Sequence, residues 1–186
     1  MATGATRIGL MPLVRLRPLA ASAVFLCVSL AMAQEPRLAR GSALPRLDAV
    51  SLSGEARTLP QDAAGRKALF VIGFSKAAAK VTRGWLEACH GAEAVACYDV
   101  RMVEEVPHAF RGMMEHGMRS GLPPALQKQA LLVYADNARW RERLGVDDDK
   151  SAYLVGVDAE GVVQGLARGS FSDDEWKQVL AWWSIR

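Results

Sequence analysis

Residues 68–80 read ALFVIGFSKAAAK: seven apolar residues from Ala68 to Phe74, then Ser75, Lys76 and an alanine-rich run that favours helix. An apolar run of this length, rich in β-branched and aromatic residues, reads as a strand buried on both faces. The helix that follows, expected over Ala77–Cys89, places Val81, Trp85 and Leu86 on one stripe, with Gly84 weakening it slightly. A buried strand that feeds directly into a helix is the start of an α/β layer architecture.

Working outward, Val95–Val103 reads as a second central strand and Val106–Ser120 as an amphipathic helix. On that helix Val106, Phe110, Met113, Met114, Gly117 and Met118 form the apolar side, expected to face the core. His108, Arg111, Glu115 and Arg119 form the polar side, expected to face solvent. Pro107 suits the first turn, Gly121 the C-terminal cap, and Pro123-Pro124 a stop. Ala130–Tyr134 is another apolar strand, and Asp136 is placed to cap a short helix carrying Trp140 and Leu144 and closed by Gly145. Ala152–Val157 and Val162–Ala167 flank Asp158-Ala159-Glu160-Gly161, a hairpin signal. Ser172-Asp173-Asp174-Glu175 has capping-box spacing and opens a terminal helix with Trp176, Val179, Leu180 and Trp183 on its apolar side. Upstream, Leu47–Leu52 alternates and is followed by turn residues, marking a strand or hairpin. The order predicts one α/β domain, a three-layer sandwich with a mixed central sheet.

The N-terminus reads as a different object. Basic residues end near Pro18, an apolar run spans Leu19–Leu30, and Ala31-Met32-Ala33 offers small residues for cleavage. These are the three parts of an export signal over residues 1–33, with an uncleaved anchor as the lesser alternative. Residues 34–46 read as a flexible leader arm and 47–186 as the domain. The chain of 186 residues carries a net charge of +3, yet Arg7, Arg15 and Arg17 lie before every acidic residue. Without them, 20 Lys and Arg face 20 Asp and Glu. A neutral mature chain without a basic stripe argues against nucleic acid as a partner. The localisation expected is exported, in the periplasm or outside the cell, with no permanent membrane span once the signal is removed.

The order of elements resembles the thioredoxin fold. The run ALLVYADNARWRERLGV, followed by AYLVGVDAEGVVQGLARGSF, is similar to the second half of peroxiredoxins and extracytoplasmic thioredoxin-like proteins. Phe110-Arg111-Gly112 and Gly117-Met118-Arg119-Ser120-Gly121 resemble the thioredoxin-like ATP synthase assembly factor family and its bacterial counterparts. By that resemblance Arg111, Gly117, Met118, Arg119 and Gly121 are candidate partner-binding residues, and the partner implied is a protein of a membrane or envelope complex. The bland reading of Arg111, Glu115 and Arg119 is a solvated ion-pair ladder.

Two hallmarks of thiol redox members of that superfamily are missing. Where they place a nucleophilic cysteine at the helix start, this chain has Ser75 and Lys76, a degenerate active-site position. The approach to Ala152 carries no proline where they have a cis-proline. No catalytic residue is therefore assigned, and no cofactor. The mature region retains Cys89 and Cys97, read either as a disulfide or as two buried thiols. The competing functions are a thiol-disulfide oxidoreductase using those displaced cysteines and a copper-type chaperone. His90, His108, His116 and the methionines are the soft ligands such a chaperone would use; their spacing assigns no metal. Lys76 with Lys80 read as surface lysines and Asp147-Asp148-Asp149 as a solvated loop rather than a calcium site.

Overall fold

The computed structural model describes Met1 and residues 36–184, so the expected signal segment and its cleavage site lie outside the described residues. Among these residues seven strands form one sheet: β1 (Leu47–Ser51), β2 (Ala56–Leu59), β3 (Ala68–Gly73), β4 (Ala96–Met102), β5 (Ala130–Val133), β6 (Ala152–Val157) and β7 (Val163–Arg168). Their spatial order is β2-β1-β5-β4-β3-β6-β7. The three central strands run parallel and the outer pairs antiparallel, giving the mixed sheet expected. Among the described residues five helices flank it: α1 (Ala78–His90), α2 (His108–Ser120), α3 (Pro124–Gln127), α4 (Asn137–Leu144) and α5 (Asp173–Ala181).

The continuous apolar run of β3 is buried at every position, as a strand sandwiched between two helical layers must be. On one face, Phe70, Ile72, Tyr98, Val100, Val133 and Val155 pack with Trp140 of α4. On the other, Leu69, Val71 and Leu154 pack with Trp85 of α1 and Val179 of α5, while Leu52, Val103 and Leu132 lie beneath Met114, Met118 and Leu122. Two glycines let Trp182 and Trp183 join this second layer. Trp182 lies over Gly156 of β6 and Gly165 of β7, and a Cβ on Gly156 would stand 2.6 Å from its ring. Trp183 Nε1 donates to the Val157 carbonyl at 2.8 Å.

Residues 36–46 depart from the flexible arm expected. The Leu38 amide donates to the Arg143 carbonyl at 2.9 Å, that of Gly41 to Val163 at 2.8 Å, and that of Leu44 to Gly161 at 2.9 Å. The Val163 amide donates back to Ser42 at 2.9 Å, and the Leu44 side chain is buried. The arm is held by backbone groups, which leave no hydrophobic period in the sequence.

A second correction concerns the start of α4. Asp136 adopts a left-handed conformation (φ 64°) and its side chain caps nothing. The first amide of the helix is met instead by Glu104, whose Oε2 accepts from Asn137 N at 2.7 Å. A carboxylate suits that end of a helix dipole whichever segment delivers it.

Candidate functional site

The parallel strands end on one edge, and the β3–α1 junction there is where the sequence locates a degenerate redox site. Phe74 is buried edge-on to Tyr153, ring centroids 5.7 Å apart, with the Arg141 guanidinium 5.1 Å from its centroid. The chain then turns and presents Ser75, whose Oγ donates to the Asp149 carbonyl at 2.8 Å and accepts from Ala78 N at 3.2 Å. Ser75 thus ties the first turn of α1 to the loop entering β6. That loop is held from within: Tyr153 Oη donates to the Asp148 carbonyl at 2.8 Å, and the Asp148 carboxylate accepts from Ser151 Oγ at 2.7 Å. Asp147 pairs with Arg168. The cis peptide bond among the described residues, Leu59–Pro60, lies outside this loop. Lys76 and Lys80 are exposed.

Ser75 is placed to hold and not to attack. Its proton goes to a peptide carbonyl, which cannot serve as a general base, and an unactivated hydroxyl is a weak nucleophile. Beneath the junction, Arg101 Nε lies 2.6 Å from Asp99 Oδ1 and its Nη2 donates to Oδ2 at 3.0 Å. A Cβ on Gly73 would stand 3.3 Å from Arg101 Nη1, so the glycine makes room for the guanidinium. Burial pushes the Asp99 carboxyl above its ordinary value, and Arg101 opposes the shift.

The question left open for Cys89 and Cys97 is answered by a bond between them, with Cα atoms 6.0 Å apart. It fastens the last turn of α1 to β4, and both residues are buried. From the first turn of α1, Cys89 is about 16 Å along the helix. Burial also lowers the neighbouring His90, while the charge of Asp99 raises it. Among the described residues, no three His, Cys, Asp or Glu side chains gather as metal ligands.

The partner-binding candidates on α2 divide. Arg111 turns to the body: its Nε donates to the Val106 carbonyl at 3.1 Å and its guanidinium stacks 4.6 Å from the Tyr134 centroid. Tyr134 Oη donates to Glu115 Oε1 at 2.5 Å; burial, then this bond, pushes the Tyr134 pKa well up. Arg119 Nε donates to the Leu52 carbonyl at 2.8 Å, and Met118 is half-buried beside it. Gly117 and Gly121 are exposed. The expected orientation of α2 is corrected in part: Met114 and Met118 pack on the core as expected, but Arg111 and Glu115 also turn to the body, whereas Phe110 (55 % exposed) and Met113 (71 %) face outward. No residue of α2 is fully buried. Tyr134 and the Leu52 carbonyl give the inward side of α2 polar partners beside Met114 and Met118, which hydrophobic periodicity does not register. Tyr134, Asp149 and Arg101 carried no sequence signal; Asp149 acts through its backbone alone.

The fold is thioredoxin-like. The thioredoxin domain of a thiol-disulfide oxidoreductase from Bacteroides vulgatus superposes with a TM-score of 0.55 at 19 % identity, covering 77 % of this chain and 96 % of that one. A peroxiredoxin-like protein from Aquifex aeolicus gives 0.54 at 13 % identity, covering 80 % and 90 %. An exposed lipoprotein thioredoxin from Streptococcus pneumoniae gives 0.51 at 16 % identity, covering 73 % and 98 %. No family model and no curated protein matches the sequence.

Proposed function

We propose that this chain is an exported, redox-inactive thioredoxin-fold protein that acts by binding a protein partner, as an assembly or scaffold factor for a membrane or envelope complex. The observation that carries this reading is Ser75. It stands where a dithiol enzyme needs its nucleophile, and its hydroxyl is committed to Ala78 N and the Asp149 carbonyl. A site that holds two loops together in place of a thiolate is organised for shape. Export is supported by the signal-like N-terminus, and the assembly role by the resemblance of residues 110–121.

A second reading draws on the Cys89–Cys97 bond and on the oxidoreductases among the structural neighbours: a thiol-disulfide exchange enzyme with a displaced pair. Burial of both sulfurs and the place of Cys89 at the negative end of α1 weigh against a reactive thiolate there. Dithiothreitol-driven insulin reduction separates the two, with a dithiol thioredoxin as the positive control. The binding reading expects no acceleration over reductant alone. Turnover that disappears in the double variant Cys89→Ala, Cys97→Ala would establish the second reading instead.

A further inference from the structure

A pocket of about 610 Å³, open to solvent, lies between the docked arm and the end of α4, with Arg37, Arg141, Glu142, Gly145 and Asp147 on its walls. Its two guanidiniums are each held by a face. Arg141 stands over the buried Phe74 ring, 5.1 Å from its centroid. Arg37 lies across Gly145, where a Cβ would stand 3.4 Å from its Cζ, 3.5 Å from Nη1 and 3.6 Å from Nε. Near-equal distances to three atoms of the group turn its flat side to the glycine. A guanidinium held this way keeps its in-plane N–H donors free. The arm is fixed in that position by the Leu38 amide, which donates to the Arg143 carbonyl at 2.9 Å.

Those donors meet no acceptor among the described residues. Of the half-buried arginines there, Arg57, Arg101 and Arg111 each donate to a carboxylate or a carbonyl, and Arg141 alone does not. The neighbouring carboxylates are turned elsewhere. Asp147 pairs with Arg168, and Asp148 accepts from Ser151 Oγ and from Lys150 N within its own loop. Neither Asp148 nor Asp149 lines the pocket, and Glu142 is exposed on its rim. Two guanidiniums thus face one unpaired carboxylate, a local excess of a single charge.

We propose that this pocket receives one carboxylate of the protein partner, gripped edge-on by Arg37 and Arg141. The inference rests on the binding reading above and gives it a place on the molecule. A carboxylate presents two oxygens in one plane, which the edge of a guanidinium meets with parallel hydrogen bonds. Its single charge matches the local excess, whereas a phosphate dianion exceeds it and is set against Glu142. The pocket adjoins the latch: Phe74 precedes Ser75, and Asp147 opens the loop whose Asp149 carbonyl Ser75 holds. The docked arm is on this account one wall of the site, because it supplies Arg37.

The test is NMR of arginine Nε–Hε groups in residues 34–186, the segment that holds every buried core residue among the described residues. The variants Arg37→Lys and Arg141→Lys assign the two signals. The probes are a blocked alanine pentapeptide with a central glutamate, its glutamine counterpart, acetyl-pentaalanine with a free C-terminus, and inorganic phosphate. Both signals are expected to move together with a carboxylate peptide and to stay in place with the glutamine one. Movement with the glutamate peptide assigns a side chain of the partner, and with the free terminus a chain end. Arg141→Gln and Arg37→Gln should each weaken binding about tenfold. Arg37 is exposed, so Arg37→Gln keeps its thermal midpoint. Signals that ignore both carboxylate peptides overturn the proposal, as do a glutamine peptide that binds equally well and an affinity unchanged in Arg37→Gln. Phosphate that binds more tightly than either peptide overturns the choice of a carboxylate. None of these outcomes alters the insulin assay, so failure of the pocket is distinguishable from failure of the binding reading.

Discussion

Removing the Cys89–Cys97 bond tests whether it is a staple or a reagent. The bond closes a loop of sequence separation 8, joining α1 to β4. Loop-closure entropy for so small a ring predicts a loss of about 2.5 kcal/mol at room temperature. For a domain of this size each kcal/mol moves the thermal midpoint by about 2–4 °C, so the double variant Cys89→Ala, Cys97→Ala should melt about 5–10 °C lower. Both residues sit in the apolar layer with Leu69, Val71 and Trp85, so two alanines add only small voids to the entropic loss. The assay pairs thermal and urea unfolding with alkylation of the native protein under graded dithiothreitol. A staple predicts that the sulfurs become alkylatable only as the domain opens, at the rate of unfolding. An unchanged midpoint in the double variant, or reduction of the folded protein as fast as that of a small exposed disulfide, would refute the reasoning.

Three further outcomes follow from the same contacts. Gly165→Ala should displace Trp182, costing about 1–3 kcal/mol and shifting tryptophan emission to longer wavelength, because a Cβ there overlaps the indole. Ser75→Cys should yield a thiol more acidic than a free cysteine, since Ala78 N and the start of α1 favour its anion; alkylation rate against pH reads this. Tyr134 should titrate above ordinary tyrosines in ultraviolet absorbance, and Tyr134→Phe should abolish that late component. Its raised native pKa makes the protonated form the stabilising one. That contribution is full below about pH 10, the unfolded value, and is lost as pH climbs through the higher native value.

The layers of the fold were readable because burial leaves a period. Residues 68–73 are apolar at every position and buried at every position. Ser172 caps the terminal helix as spelled, with Glu175 N donating to Ser172 Oγ at 3.3 Å and the Glu175 carboxylate accepting from that hydroxyl at 3.2 Å. Turn residues 158–161 join β6 and β7 through a tight loop in which Asp158 Oδ1 accepts from Val162 N at 2.9 Å. What escaped was held by groups that every residue has. The arm is fixed through main-chain amides, α4 begins on a carboxylate delivered from another segment, and the Ser75 partner is a carbonyl of Asp149. For α2 the pattern placed Met114 and Met118 on the core correctly and missed that Arg111 and Glu115 share the inward side, at Tyr134, while Phe110 and Met113 are left outside. The place of Ser75 at the start of α1 was legible; that its hydroxyl latches the loop before β6 was not.

The docked arm also bears on what the sheet can recruit. An outer strand with open amides and carbonyls is a template for any extended chain that drifts past. Here Val163, the first residue of β7, spends its amide on Ser42 and its carbonyl on Gly41. At the opposite margin β2 is four residues long, and the Thr58 amide is taken by Asp62 at 2.6 Å. The start of β7 and the Thr58 amide of β2 are thus occupied by the protein's own chain, so a neighbour's strand that adds at either point first requires peeling something away.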